Sequence, residues 1–269
     1  MNRENDEPTE VLPLERMPIT AYRHIVILTG AGVSVASGIA PFRGPGGLWS
    51  DPEIERLAYR EILTDDPAAA WKFYGDLRRM AQNAKPNAAH LALASFEGNL
   101  HPDQEFLLVT QNIDGLHKKA GSKNVAEMHG SIRRTKCSNF ECSLACGFED
   151  HRLYRIPPHC PRCGSVLRPD LVMFGEMIDP HISASIANAL HDCDLFIAVG
   201  TSGTVAPANR FVQTARSAGA MTVSINMEPL GSPMGEPIFS ETITGKAEEA
   251  LPAFLEDKFF ATGAESQTH

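Results

Sequence analysis

A chain of 269 residues with 43% hydrophobic and 21% charged side chains has an ordinary globular composition and is long enough to bury a core without disulfide staples. No apolar run reaches the ~18 residues of a membrane span, and the acidic start lacks the apolar stretch of a secretory signal. The net charge of −9 speaks against a broad grip on nucleic acid, and the lack of a signal predicts a reducing, cytoplasmic setting in which the 6 cysteines favour metal over disulfides.

Residues 1–18 read as a flexible acidic arm with three prolines. From His24 the run HIVILT forms a short apolar strand that enters a glycine turn. FLLVT (106–110), LFIAVG (195–200) and MTVSIN (221–226) repeat the pattern. Such continuous apolar runs suit strands buried on both faces. Helical patterns lie between them at 53–63, 67–81, 86–97, 180–191 and 207–217. Strands alternating with helices predict an α/β fold, a parallel sheet with helices on both faces. Two segments interrupt the alternation: a helical insert at about 44–85 and a Cys-containing stretch at about 133–168. Together they are expected to form a smaller lobe within one domain over 19–260. Residues 261–269 read as a frayed tail.

The strand ends carry the polar groups. Ligands of parallel sheets bind at the carboxyl ends of strands. There stand Thr29-Gly30, Thr110-Gln111-Asn112, Gly200-Thr201-Ser202 and Asn226. In TGAGVSVASGIAPFRG (29–44), Gly30 and Gly32 allow a tight turn and close approach to a phosphate. The usual dinucleotide fingerprint expects a third glycine at position 35, where Val35 stands; the next is Gly38. Phe42 and Arg43 follow, the latter able to pair with a phosphate or carboxylate. In TQNIDGLH (110–117), a capped helix start needs one of Gln111, Asn112 and Asp114; all three in four positions point to a site. His129, in MHGS, is a candidate general base, since a free histidine titrates near ~6.5. Cys137-x4-Cys142 followed by Cys160-x2-Cys163 suits one structural zinc with four thiolates and no open position. Cys146 is an alternative to Cys142 as a ligand, and Cys193 reads as inert packing.

In order and spacing, the glycine turn, TQNIDGLH, MHGS, the two Cys pairs, RPDLVMFGE, VGTS and SINME resemble the sirtuins, NAD-dependent protein lysine deacylases, over about residues 20–255. The resemblance implies a Rossmann-like NAD-binding domain and a small zinc-binding and helical lobe, with acyl-lysine peptides or proteins entering between them. It implies that Gly30, Ala31, Gly32, Ser34 and Gly38 line the pyrophosphate and ribose, and that Phe42 and Arg43 close over the nicotinamide ribose. Gln111, Asn112, Ile113 and Asp114 would hold the nicotinamide half, with Asn112 and His129 as catalytic residues. Gly200, Thr201, Ser202, Asn226, Glu228 and Ala247 would receive the adenosine half. Val172, Phe174, Gly175 and Glu176 would pair with the substrate backbone as an added strand. The acyl oxygen would attack the ribose carbon that nicotinamide leaves, and His129 would take a ribose hydroxyl proton.

Deacetylation is the default expectation. Sirtuins that remove acidic acyl groups carry a Tyr and, three residues later, an Arg. In WKFYGDLRRM (71–80), Tyr74 fits but Leu77 holds the Arg position. Arg78, at i+4 from Tyr74, shares its helix face and offers a displaced carboxylate reader, hence desuccinylase or demalonylase activity. Ala58 would leave room in that pocket. A mono-ADP-ribosyltransferase, a dehydrogenase and a non-enzymatic NAD-binding module remain as alternatives at this level.

Overall fold

The computed structural model describes residues 18–42, 47–154, 156–202, 206–230 and 238–260, with backbone alone at 49, 209 and 257–260. The strands are β1 (His24–Thr29), β2 (Glu105–Thr110), β3 (Val125–Glu127), β4 (Gly130–Cys137), β5 (Phe148–Glu149), β6 (Leu167–Leu171), β7 (Leu195–Val199), β8 (Met221–Asn226) and β9 (Glu241–Thr244). The helices are α1 (Pro52–Arg56), α2 (Ile62–Asp65), α3 (Pro67–Asn83), α4 (Ala88–Gly98), α5 (Leu116–Ala120), α6 (Pro180–His191), α7 (Phe211–Ser217) and α8 (Ala247–Phe260). No helix among the described residues is long and apolar enough to cross a membrane.

One sheet is wholly parallel, in the order β3-β2-β1-β7-β8-β9. Its side chains alternate between two cores, as the period of two demands. Ile25, Ile27, Leu108, Ile197 and Ile225 face α4 and α8; Val26, Leu28, Val109, Phe196 and Ala198 face α6 and α7. The expected α/β fold with helices on both faces is therefore the one observed.

The second sheet is antiparallel, β5-β4-β6, and packs with α3 into a smaller lobe. Helix α3 starts at Pro67 behind Asp66, whose carboxylate accepts from Ala69 N at 2.9 Å. It buries Ala70, Trp71, Tyr74, Arg78 and Ala81, one face at i, i+3 and i+4 spacing.

The expected helix over 53–63 is instead two short ones, α1 and α2. Between them Ala58 O accepts from Phe174 N (2.9 Å) and Arg60 N donates to Phe174 O (3.1 Å), so a strand-like bridge replaces the helical turn. The acidic arm, apart from Pro18, and the tail lie outside the described residues.

Candidate functional site

Strands β1, β2, β7 and β8 end at one edge of the sheet, with Thr29 level with Thr110 and Val199, and Val199 level with Ile225. Beyond Thr29 the chain turns at Gly30 into a 3₁₀ helix, Ala31–Ser37. A Cβ on Gly30 would stand 2.7 Å from Gly200 O, and one on Gly32 2.8 Å from Gly200 Cα. The first turn thus packs backbone against backbone on the end of β7, which any side chain would prevent. Val35, half exposed, meets no such neighbour, so this turn does not require the third glycine of the dinucleotide fingerprint.

The polar strand ends knit into one network. Gln111 Nε2 donates to Thr201 Oγ1 at 2.9 Å. Asn112 Nδ2 donates to Gly30 O (3.0 Å) and to Ser34 Oγ (3.1 Å). Ser34 Oγ donates to Asp114 Oδ2 at 2.7 Å, and Leu116 N to Asp114 Oδ1 at 2.8 Å. Burial pushes the Asp114 carboxyl above its ordinary range, while the hydrogen bonds from Leu116 and Ser34 pull against it.

His129 sits between β3 and β4. Its Nδ1 lies 3.0 Å from Gln111 O, a carbonyl that can only accept, so Nδ1 carries the proton and Nε2 has the free lone pair. Burial lowers its pKa below the usual histidine value, opposed by the bond to Gln111. A neutral, oriented imidazole with a free Nε2 is the form a general base needs.

A cleft of ≈ 1520 Å³ runs past these groups. That volume exceeds the ~300–1,000 Å³ of ordinary ligand pockets and suits a dinucleotide beside a peptide segment. Gly30, Ala31, Gly32, Phe42, Gln111, Asn112, Ile113 and His129 line its middle. Gly200, Thr201, Ser202, Asn226, Glu228 and Ala247 line one end; Ala58, Phe73, Tyr74, Leu77 and Met173 line the other. Ser34 and Asp114 are buried behind the lining and act through their neighbours. Gly38 is outside the lining, with open space at its Cβ position. Arg43 lies outside the described residues.

One expectation on the substrate side is corrected. Arg78 does not face the cleft: the residue is 1% exposed, and its guanidinium donates to Ile132 O (2.7 Å), Arg152 O (2.9 Å), Arg134 O (3.1 Å) and Thr135 Oγ1 (2.9 Å). Asp150 stands 3.8 Å away. The long side chain reaches over β4 instead of towards the ligand. The Tyr74 hydroxyl is likewise engaged, donating to Leu57 O at 2.9 Å.

The loop expected to receive a peptide strand has part of its backbone engaged within the protein. Val172 N donates to His129 O (3.0 Å), Met173 N to Glu176 Oε2 (3.0 Å) and Phe174 N to Ala58 O (2.9 Å). The amides of Val172 and Phe174 are therefore bonded within the protein. The Glu176 carboxylate is gripped by both terminal nitrogens of Arg168, so it closes its own loop. Val172, Phe174, Gly175 and Glu176 all border the cleft nonetheless.

Cys137, Cys142, Cys160 and Cys163 converge, with all four sulfurs within 4.8 Å of one another. Sγ–Sγ separations of 3.5 Å (Cys137–Cys163) and 3.7 Å (Cys142–Cys160) fit a tetrahedron whose Zn–S bonds of ~2.3 Å put sulfurs ~3.8 Å apart. The cluster is compatible with one structural zinc. Cys146 is exposed and outside it, with contacts to the Ser143 and Gly147 carbonyls. Cys193 is buried in the sheet core, which pushes its thiol up to about 12. Trp71 shares one buried cluster with Cys137, Cys160 and Leu167 and donates from Nε1 to Leu167 O at 3.2 Å, so the cysteine module and α3 form one unit.

Sequence reasoning missed Asn87, His90 and His117, buried or half-buried behind the site. Asn87 before an Ala-rich helix was a readable cap signal; the two histidines carried no periodic signal.

The sequence model of the Sir2 family matches residues 30–207. An NAD-dependent protein deacylase of Vibrio vulnificus is 42% identical over 238 residues, 88% of this chain and 94% of the relative. NAD-dependent protein deacylase 2 of Pyrobaculum aerophilum is 39% identical over 244 residues, 89% and 92% of the two chains. Among solved structures, a mutant Sir2 homologue in complex with ADP-ribose superposes with a TM-score of 0.80 at 36% identity, over 89% of this chain and 93% of that one. A Sir2 homologue in complex with NAD gives 0.78 at 37% identity, over 90% and 91%.

Proposed function

The chain belongs to the Sir2 family, and from that premise we infer that it removes uncharged acyl groups, acetyl above all, from protein lysine side chains. It is an NAD-dependent protein deacylase. NAD supplies a ribose carbon that loses nicotinamide and receives the acyl oxygen. In our reading, Gly30, Gly32 and Gly200 bring backbone close to the pyrophosphate, and Ser202, Asn226, Glu228 and Ala247 line the adenosine end. Gln111, Asn112 and Ile113 border the nicotinamide half, with Asn112 fixed by Gly30 and Ser34. Four cysteines would hold a structural zinc away from the chemistry, and the free Cys146 and Cys193 suit a reducing cytoplasm.

The observation that carries this reading is His129. Gln111 O fixes its tautomer, and Nε2 is left to accept a ribose hydroxyl proton at the junction of the nucleotide turn and the acyl end.

The acyl preference rests on what lines that end. Ala58, Phe73, Leu77, Ile113 and Met173 are apolar, and no Lys or Arg lines the cleft among the described residues. A dicarboxylic acyl group would bring a charge there without a partner, which is costly. The test supplies acetyl- and succinyl-lysine peptides with NAD and follows free lysine peptide and nicotinamide. Faster acetyl turnover is expected; a succinyl preference, or ADP-ribosylated protein in place of free lysine peptide, overturns the reading.

A further inference from the structure

We propose that Asn87 is a positioning residue for NAD: from outside the cleft it holds the 3₁₀ turn Ala31–Ser37 in the form that receives the nucleotide. The proposal rests on the assignment of that turn to NAD made above.

Asn87 is the N-cap of α4, and its side-chain amide works in two directions. Its oxygen serves the helix, accepting from Ala89 N (3.0 Å) and pairing with His90 Nδ1 (3.0 Å). Its nitrogen serves the turn, donating to Val33 O (2.8 Å) and Ser37 Oγ (3.0 Å). The two acceptors are four residues apart in the turn, so one amide spans its middle and its end. Ser34, next to Val33, is the residue that meets Asn112 and Asp114. No side chain caps the turn at Gly30, and Gly38 ends it in the left-handed region (φ 81°). The turn is thus held by Asn112 and Asp114 through Ser34, and separately by Asn87 through Val33 and Ser37.

The segment carrying Asn87 is itself fastened. Lys119 Nζ on α5 donates to Ala84 O at 2.6 Å, where α3 of the small lobe passes towards α4 of the sheet domain. Asn87 therefore takes its position from a tethered connection and passes it to the turn.

The two halves of the amide can be separated. Asn87→Asp keeps both cap acceptors, since Asp is as good an N-cap as Asn, but removes both donors to the turn. The expected result is a KM for NAD raised about tenfold or more, which is the size of one or two hydrogen bonds at ~1.4 kcal/mol per decade. The KM for acyl peptide at saturating NAD stays near the parent's, while the melting temperature falls modestly because the new carboxylate oxygen faces the Val33 carbonyl. Asn87→Ala, which loses the cap as well, should show the same NAD defect with a lower melting temperature. Ser37→Ala removes one acceptor only and should raise the NAD KM by a smaller factor; it decides the matter if Asn87→Asp fails to fold. Ser34→Ala serves as the site control. If Ser34→Ala weakens NAD and Asn87→Asp does not, the proposal falls and the nucleotide assignment stands. If neither does, the assignment itself falls. If Asn87→Asp raises the KM for acyl peptide as much as that for NAD, or Ser37→Ala leaves the NAD KM unchanged, the role is structural only and the proposal is overturned.

Discussion

Ser34 and Asp114, separated by 80 positions in sequence, are joined by a hydroxyl-to-carboxylate hydrogen bond of 2.7 Å. The bond ties the first glycine turn to the loop after β2. Ser34 Oγ also accepts from Asn112 Nδ2, so its single proton is committed to Asp114. Asp114→Asn can turn only one acceptor atom towards Leu116 N or Ser34, never both. One buried donor is then left without a partner, at a cost of ~1–3 kcal/mol. We expect the KM for NAD to rise about fivefold to 150-fold, measured by nicotinamide release at saturating acyl peptide, with the zinc content unchanged.

The sheet was legible because HIVILT, FLLVT, LFIAVG and MTVSIN are uninterrupted apolar runs, and buried strands leave no other mark. β3 and β9 were not. The first has three residues and the second, ETIT, alternates between half-buried and exposed, so neither rises above a loop in sequence. The split of 53–63 has a non-local origin: Phe174 bonds to Ala58 and Arg60, a contact across more than a hundred residues that local periodicity cannot express. Helix geometry placed Tyr74 and Arg78 on one face correctly. It could not say which layer the longer side chain would reach.

His129→Ala should leave the fold and NAD binding intact and lower deacylation by about 10²–10⁴-fold, the usual contribution of a positioned base. The pH profile gives an independent check. Burial lowers the His129 pKa, so the imidazole stays neutral and competent below the ~6.5 of a free histidine. The acid limb of kcat/KM should fall below pH ~6.5, and that limb should vanish in the His129→Ala residual rate.

Each chain should bind one zinc, and the five cysteines of the module should separate cleanly. Cys146→Ser is expected to keep the metal and the melting temperature, because Cys146 stands outside the sulfur cluster. Cys142→Ser should lose the metal and unfold the small lobe, since structural zinc supplies folding energy. Trp71 lies in one buried cluster with Cys137 and Cys160, so its fluorescence should change when a chelator removes the metal.

His90 and His117 predict acid lability. Their rings lie 4.8 Å apart, and His90 Nε2 and His117 Nδ1 are buried without a partner among the described residues. Burial lowers the pKa to about 4 for His90 and about 3 for His117, from 6.5. Both lowered values favour the neutral form, so this part of the stability is complete above pH 6.5 and is lost as the pH falls towards 4 and 3. At ~1.4 kcal/mol per pH unit, His90 alone accounts for about 3 kcal/mol. Urea unfolding at pH 7.5 and 5 should show the loss, and His90→Gln should flatten it.

The acyl end gives the sharpest contrast between two neighbouring positions. Leu77 lines the cleft, while Arg78 is fastened to the backbone of β4 and to Arg152. Burial lowers the Arg78 pKa and Asp150 opposes the shift, the balance of a structural guanidinium. Arg78→Met should therefore cost about 3 kcal/mol of stability, as for other buried charges that lose a partner, and lower acetyl and succinyl turnover alike. Leu77→Arg should do the opposite. It places a cation beside Tyr74, where a distal carboxylate would gain a charge-assisted hydrogen bond of ~1.5–3 kcal/mol, or about 10- to 150-fold. Succinyl turnover should rise against acetyl by a factor in that range, read as the ratio of kcat/KM values on matched peptides. A folded Arg78→Met variant that loses succinyl turnover alone would place Arg78 in the acyl pocket after all, and a Leu77→Arg variant with an unchanged ratio would remove position 77 from the control of acyl choice.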